Sequence, residues 1–152
     1  MGRTADSGFS LLEVVIALGL LSAVLISISG LFVLAAQQVA GGRSSSQALA
    51  AARSILEETG CWTLHQTYRL FGFDGSAPGY TVDTRTNAFA ARWRPMVEPG
   101  LSTGAATLRI ESLGPGSSPP ALNASRAIRL RVTVSWDEGA RRRAVDLVAV
   151  RM

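Results

Sequence analysis

The sequence predicts an α+β fold in which one long N-terminal helix precedes an antiparallel sheet. The residues from Gly8 to Ala36 form an apolar run with a single charge, Glu13, near its start. Later in the chain the apolar residues change from helical spacing to the alternation that is typical of strands with one buried face. The chain has 152 residues, which leaves room for one small domain after the apolar run.

The apolar run is long enough to cross a membrane, because about 20 residues span the hydrocarbon core. No charged side chain occurs from Val14 to Gly42. The run is too long for the core helix of so small a domain. A secretory signal has a shorter apolar core, and a plain signal anchor leaves Glu13 unexplained. A carboxylate in hydrocarbon is costly, so its position at the start of the run needs a reason.

The residues Gly-Phe-Ser-Leu-Leu-Glu, from Gly8 to Glu13, precede an uncharged apolar helix and resemble the processing site of the type IV prepilin family. The resemblance implies that a membrane prepilin peptidase cuts after Gly8 and N-methylates the new first residue, Phe9. It also implies that Glu13, the fifth residue of the mature chain, acts in subunit assembly. This carboxylate lies one helical turn from the new amine, so the two can neutralise each other within one chain or between neighbours.

The same resemblance implies a pilin-like fold and a division of the chain into four segments. These are a leader peptide (1–8), a transmembrane and assembly helix (9–36), the C-terminal half of the long helix (37–60) and an antiparallel β-sheet domain (61–152). The leader departs from the family because Arg3 is its only basic side chain.

The function implied by the resemblance is that of a structural minor subunit, similar to the I, J or V type, in a type II secretion pseudopilus or a type IV pilus. Its implied partners are the peptidase, other pilin or pseudopilin subunits and an inner-membrane assembly platform. The implied location is the inner membrane, crossed once, with the C-terminal domain in the periplasm or otherwise outside the cytoplasm, and the filament after assembly.

The C-terminal half of the helix is predicted from renewed helical spacing between Gln47 and Glu58. A polar break at Gly41-Gly42 precedes it, where we expect the helix either to continue or to kink. Gly60 is a suitable C-terminal stop. Four residues are predicted to share the apolar face: Leu49, Ala52, Ile55 and Leu56.

The domain that follows is predicted to consist of strands separated by turns. The residues from Trp62 to Leu70 alternate in polarity, although a helical turn also fits them. The clearest hairpin runs from Arg126 to Trp136, turns at Asp137-Glu138-Gly139 and returns from Arg141 to Arg151. Three further candidate strands are Tyr80 to Arg85, Phe89 to Arg94 and Thr107 to Leu113.

The sequence contains no catalytic, phosphate-binding or metal-binding motif, so we expect neither an enzyme nor a cofactor. It has one cysteine, Cys61, and one histidine, His65. Cys61 is predicted to be a buried small hydrophobe, with an intermolecular disulfide as the alternative. Asp74-Gly75-Ser76 is interpreted as a turn rather than a calcium site. The three tryptophans, Trp62, Trp93 and Trp136, are predicted to belong to the core.

All 15 basic side chains are arginine, and the net charge is +4. Their spread along the chain favours a solvated surface. The run Arg141-Arg142-Arg143 has two interpretations: a charged hairpin end that discourages edge pairing, or a contact with a phosphate backbone. The second makes a DNA-uptake pilus subunit that binds nucleic acid an alternative function. Another alternative is an unprocessed, signal-anchored domain, for which Glu13 is dispensable.

Overall fold

The structure, a computed structural model, describes residues 10–114 and 119–152. Its longest element, α1, is the helix Leu11–Gly60. The chain divides into two compact units, Met1–Ala40 and Gly41–Met152. Gly8 and Phe9, the proposed processing site, lie outside the described residues. The predicted α+β class is confirmed, since the later part of a long N-terminal helix packs on a four-stranded antiparallel sheet.

In the first unit, every described side chain from Ser10 to Ala40 is exposed. This part of α1 contains a stretch with a mean hydropathy of 2.6, none of it buried by the chain itself. The helix is therefore long and apolar enough to cross a membrane. A signal sequence near an N-terminus can have the same length and composition.

In the second unit, α1 contributes one narrow buried stripe to the core. The stripe is rich in alanine, whose small side chain permits close approach of the helix to the sheet. The prediction that Leu49 belongs to this face is wrong, because its side chain is 46% exposed. Leu49 follows Ala48 by one residue and is rotated about 100° away from it around the helix. The buried residues are Ala48, Ala51, Ala52, Ile55 and Thr59.

Gly41 and Gly42 both lie within the bounds of α1, so the predicted polar break does not end the helix. At Gly41 a Cβ atom would lie only 2.7 Å from Oε1 of Glu138. At Gly42 a Cβ atom would meet nothing within 4 Å. The first glycine therefore makes space for a carboxylate from the hairpin of the sheet, and the second does not.

The sheet is a simple antiparallel meander in the order β1-β2-β3-β4. Alternate residues of β3, from Ile128 to Trp136, are buried in the core, as the alternation predicts. The strands are β1 Gly79–Asp83, β2 Ala105–Leu113, β3 Ala127–Glu138 and β4 Arg141–Arg151.

The predicted strand from Phe89 to Arg94 is wrong. A 3₁₀ turn, Ala90–Trp93, runs directly into a short helix, α3, at Arg94–Val97. The side-chain oxygen of Asn87 accepts hydrogen bonds from the backbone N–H groups of the two residues that precede or begin this turn, at 3.0 and 3.1 Å. This local capping stabilises a helical start over an extended one.

The residues after Trp62 form a helical turn, α2, at Gln66–Arg69, rather than a strand. Thr63 and Gln66 form a reciprocal pair of bonds. The Thr63 N–H donates to the Gln66 side chain at 2.9 Å, and the Gln66 N–H donates to the Thr63 hydroxyl at 3.2 Å. This is the capping-box arrangement, which satisfies two backbone donors at once.

The hairpin between β3 and β4 turns two residues later than predicted. Asp137 and Glu138 belong to β3, and the turn consists of Gly139 and Ala140. Gly139 has a φ of +61°, which suits the first central position of a type II′ turn. Glu138 therefore pairs with Arg141 across the turn.

Candidate functional site

Glu13 lies in the first turn of α1 and is exposed. The carbonyl of Ser10 accepts a hydrogen bond from the N–H of Val14 at 3.2 Å. Glu13 therefore lies within a hydrogen-bonded helical turn. An acidic side chain near a helix N-terminus interacts favourably with the helix dipole. Among the described residues, Glu13 has no hydrogen-bonding or ion-pairing partner. Its role in assembly stays a prediction.

Three serines in the apolar part of α1 donate their hydroxyl hydrogen bonds within the helix. Ser22, Ser27 and Ser29 each donate their hydroxyl to the carbonyl four residues earlier, at 2.7, 3.0 and 2.8 Å respectively. Hydroxyls bonded in this way can enter hydrocarbon without leaving a donor unpaired. Glu13 is the one charged side chain among the described residues before the second unit.

The basic hairpin end, Arg141 to Arg143, is exposed, but two of its three side chains contact other residues of the hairpin. Arg143 forms an ion pair with Glu138, and Arg142 donates to the Ser135 hydroxyl at 3.1 Å. Arg141 has no partner among the described residues. One of the three positive charges is thus neutralised within the hairpin, which weakens the interpretation of this run as a phosphate-binding cluster.

Asp74 accepts several hydrogen bonds within a turn of the second unit. Its carboxylate receives the Ser76 N–H at 3.0 Å, the Tyr80 hydroxyl at 2.7 Å and the Ser76 hydroxyl at 2.8 Å. These bonds lower the pKa of Asp74 from 3.8 to about 2, and the largest contribution comes from the Ser76 backbone N–H. The predicted turn is confirmed, and the described residues contain no group of three metal-ligating side chains.

An aromatic cluster covers the end of α1 in the second unit. Trp62 stacks on Trp93 with ring centroids 6.3 Å apart, and the guanidinium of Arg92 lies 4.0 Å from the centroid of Phe89. The Trp93 indole N–H donates to Glu58 at 2.6 Å. The predicted core positions of Trp93 and Trp136 are confirmed, whereas Trp62 is only partly buried.

The outer face of the sheet carries a groove of about 510 Å³ beside β1. Glu111 stands between two arginines in this groove, 2.7 Å from Nε of Arg109 and 3.9 Å from Nη1 of Arg129. The carboxylate therefore offsets one of the two arginine charges that line the groove.

The prediction that Cys61 is buried is wrong, because its thiol is exposed. The residue directly follows the last residue of α1, Gly60. Continued at 100° per residue, its position is about 200° around the helix from buried Thr59. Its sulfur lies 3.4 Å from the carbonyl of Glu57, on the outer side of the helix.

The long apolar N-terminal helix followed by a small antiparallel sheet is compatible with a pilin-like fold. Comparisons of the chain with models of protein families, with characterised proteins and with solved structures found no match. The support for a family therefore comes from the short motif that ends at Glu13 and from this architecture.

Proposed function

We propose that the chain is a minor pilin or pseudopilin subunit that a prepilin peptidase cuts after Gly8. The peptidase then methylates Phe9, and the mature chain is assembled into a filament through its apolar helix. One observation supports this proposal above all others: the part of α1 from Leu11 to Ala40 is apolar and exposed along its whole length, with Glu13 as its one charge. Such a surface is too large to remain in water.

Two apolar environments cover this surface in turn under the proposal. Before assembly the helix spans the inner membrane, with the second unit in the periplasm. After assembly the helices of neighbouring subunits replace the lipid. An inner-membrane platform extracts each subunit, and the filament is either a type II secretion pseudopilus or a type IV pilus.

Glu13 acts in this proposal as a registry group. Cleavage at Gly8 creates a positive amine on Phe9, which a neighbouring subunit can place against the Glu13 carboxylate. In a helical bundle of low dielectric, removing one member of such a pair leaves an uncompensated charge. A subunit therefore docks stably only at the position where the two charges meet.

The experiment that tests processing is the N-terminal residue and intact mass of the chain isolated from the membranes of its own host. A chain that begins at Phe9 with one added methyl group supports the proposal. A chain that begins at Met1 refutes it in favour of an unprocessed, signal-anchored domain. A chain that begins near Ala36 identifies an ordinary secretory signal and also refutes the proposal.

A substitution of Glu13 tests assembly separately from processing. We expect Glu13→Ala to be cleaved normally and to enter sheared filaments about 100-fold less, which corresponds to the loss of about 3 kcal/mol for an unpaired charge. Glu57→Ala is the matched control, since Glu57 is an exposed carboxylate of the same helix in a surface ion pair with Arg53. Immunoblots of filament and membrane fractions measure both. Equal amounts of the Glu13 and Glu57 variants in filaments would contradict the registry role.

A further inference from the structure

The last strand, β4, leaves one of its two edges without a partner strand. It is 11 residues long and stands at the end of the strand order, so no strand among the described residues pairs with its second edge. The two-residue turn closes on the hydrogen-bonded pair Glu138↔Arg141, and hydrogen-bonded pairs then alternate with non-hydrogen-bonded pairs along the ladder. The backbone groups that point to the open edge are therefore those of Arg142, Ala144, Asp146, Val148 and Val150.

Most of this open edge lacks the features that usually protect a sheet edge. Charges, prolines and bulges commonly discourage an edge from pairing with another chain. The segment from Ala144 to Val150 contains no proline and one charge, Asp146, whose carboxylate is bonded to the Thr133 hydroxyl. Val148 and Val150 are 50% and 56% exposed on the outer face. Arginines stand only at the two ends of the strand.

We propose that the open edge of β4 accepts an extended, acidic segment of a partner protein as a fifth strand. The segment pairs antiparallel with β4 and places its carboxylates opposite Arg141–Arg143. Main-chain hydrogen bonds supply the contact, and the charges fix its direction and register. This proposal does not depend on cleavage at Gly8 and goes beyond the function proposed above.

The charge of β4 is what selects an acidic partner. The strand contains four arginines and one aspartate. Arg143 is paired with Glu138, whereas Arg151 donates to the neutral carbonyl of Thr59 at 3.0 Å. Arg141 and Arg142 likewise have no carboxylate within ion-pairing distance in the described chain. A strand with carboxylates at the matching end neutralises these charges.

A second copy of the chain is a poorer occupant of the same edge. Full-length antiparallel pairing of two β4 strands centres on Asp146. It places the two aspartates opposite each other and Arg141 opposite Arg151 at both ends. Like charges directly opposite in a sheet are destabilising, and every self-pairing doubles the arginines along the edge.

The test uses the full chain in detergent micelles and a synthetic peptide, acetyl-Val-Thr-Val-Thr-Val-Thr-Glu-Glu-Glu-amide, labelled with fluorescein. Antiparallel pairing brings the glutamates opposite Arg141–Arg143 and the threonines opposite the edge-facing residues of β4. We expect saturable binding by fluorescence anisotropy, above that to empty micelles, which weakens as salt is raised. A peptide with three glutamines in place of the glutamates should bind about tenfold more weakly.

Two modified peptides test strand addition without any change to the protein. N-methylation of the threonines removes the N–H groups that face β4 and should abolish binding. N-methylation of the valines alters the opposite edge of the peptide and should leave most of the affinity. Equal binding of both methylated peptides, or equal binding of the glutamate and glutamine peptides, overturns the proposal.

A pair of variants at Val148 tests the same edge from the protein. Val148→Pro removes an N–H that points to the open edge and should lower the affinity at least tenfold, because proline is tolerated there without loss of a bond to β3. Val148→Thr keeps the N–H and should bind within about twofold of the original chain. Circular dichroism establishes whether both variants are folded. If either is unfolded, the comparison of the two methylated peptides tests the proposal by itself. A different outcome is that the original chain binds no peptide but self-associates, and that Val148→Pro abolishes this self-association. This result assigns the edge to a second copy of the chain and overturns the proposal of an acidic partner.

Discussion

Replacing Ile55 with alanine measures how strongly the second half of α1 is bound into the domain. Ile55 is fully buried and lies at the centre of the stripe that faces the sheet. The substitution removes three carbon atoms, which at about 0.8 kcal/mol per buried methylene costs about 2.4 kcal/mol. The cavity that remains raises the loss, and the better helix propensity of alanine returns a few tenths. We expect a net loss of about 3 kcal/mol in the free energy of unfolding.

Leu49→Ala is the matched control for this experiment. It removes the same number of carbon atoms from the same helix, but Leu49 is 46% exposed. The substitution therefore removes only about half of the transfer free energy of a buried side chain and leaves little cavity. We expect a loss of about 1 kcal/mol in the free energy of unfolding. Urea unfolding of the full chain in detergent, followed by circular dichroism, compares the two. With a slope of about 1.5 kcal/mol per molar urea, the midpoints should differ by about 1.3 M.

The outcome that refutes this reasoning is an equal shift of both midpoints. It would mean that Leu49 is buried as deeply as Ile55, as the face predicted from the sequence requires. A larger loss for Leu49→Ala than for Ile55→Ala would also contradict the observed rotation of the helix.

Two further predictions concern the turn that precedes β1. Gly75→Ala should lower the free energy of unfolding, measured by thermal denaturation, by about 2–4 kcal/mol. Gly75 has a φ of +80°, and a Cβ atom would lie 2.6 Å from the buried ring of Tyr68. Gly72→Ala has a similar φ of +85° but meets nothing within 4 Å, so it should cost about 1–2 kcal/mol; equal losses would show that the ring yields. Because folding lowers the pKa of Asp74, its carboxylate stabilises the fold above pH 3.8, and this contribution is lost as the pH falls toward about 2. Tyr80→Phe removes one of the bonds, so the pKa of Asp74 measured by NMR titration should rise, and an unchanged pKa would assign the shift to the Ser76 bonds alone.

Regular periodicity was sufficient to predict the elements that bury one face. The alternation from Ile128 to Trp136 predicts both β3 and its buried side, because a strand covered on one face needs apolar residues at every second position. The end of α1 at Gly60 was predicted instead from glycine as a common helix stop. The position of Leu49 shows the limit of such patterns, since residues at the flank of a stripe can fall on either side of its boundary.

Short elements depended instead on single hydrogen bonds that a periodic pattern does not contain. Phe89 to Arg94 has the composition of a strand, yet the side chain of Asn87 caps a helical turn there. Thr63 and Gln66 have the spacing of a capping box, which is a signal in the sequence that outweighs alternation over so few residues. In both places a polar side chain at the start of the segment decides the backbone conformation.

The candidate sites also differ in whether the sequence alone could predict them. The place of Glu13 in the first helical turn follows from the sequence, but the open edge of β4 does not, because it depends on the order of the strands in space. The partner of Arg143 also depends on register. A turn at Asp137-Glu138-Gly139 would remove Glu138 from the ladder, whereas the observed turn leaves it in β3, where it forms the ion pair.

The two parts of α1 differ in how their apolar side chains are buried, and this difference bears on the function of the protein. From Ala48 to Thr59 the helix hides one stripe in a core that the chain supplies. From Leu11 to Ala40 its apolar side chains point in all directions and the chain covers none of them. Lipid alone suffices for a helix without charge. A carboxylate at the start of that helix needs a positive group as well, and we expect a processed, neighbouring subunit to supply it.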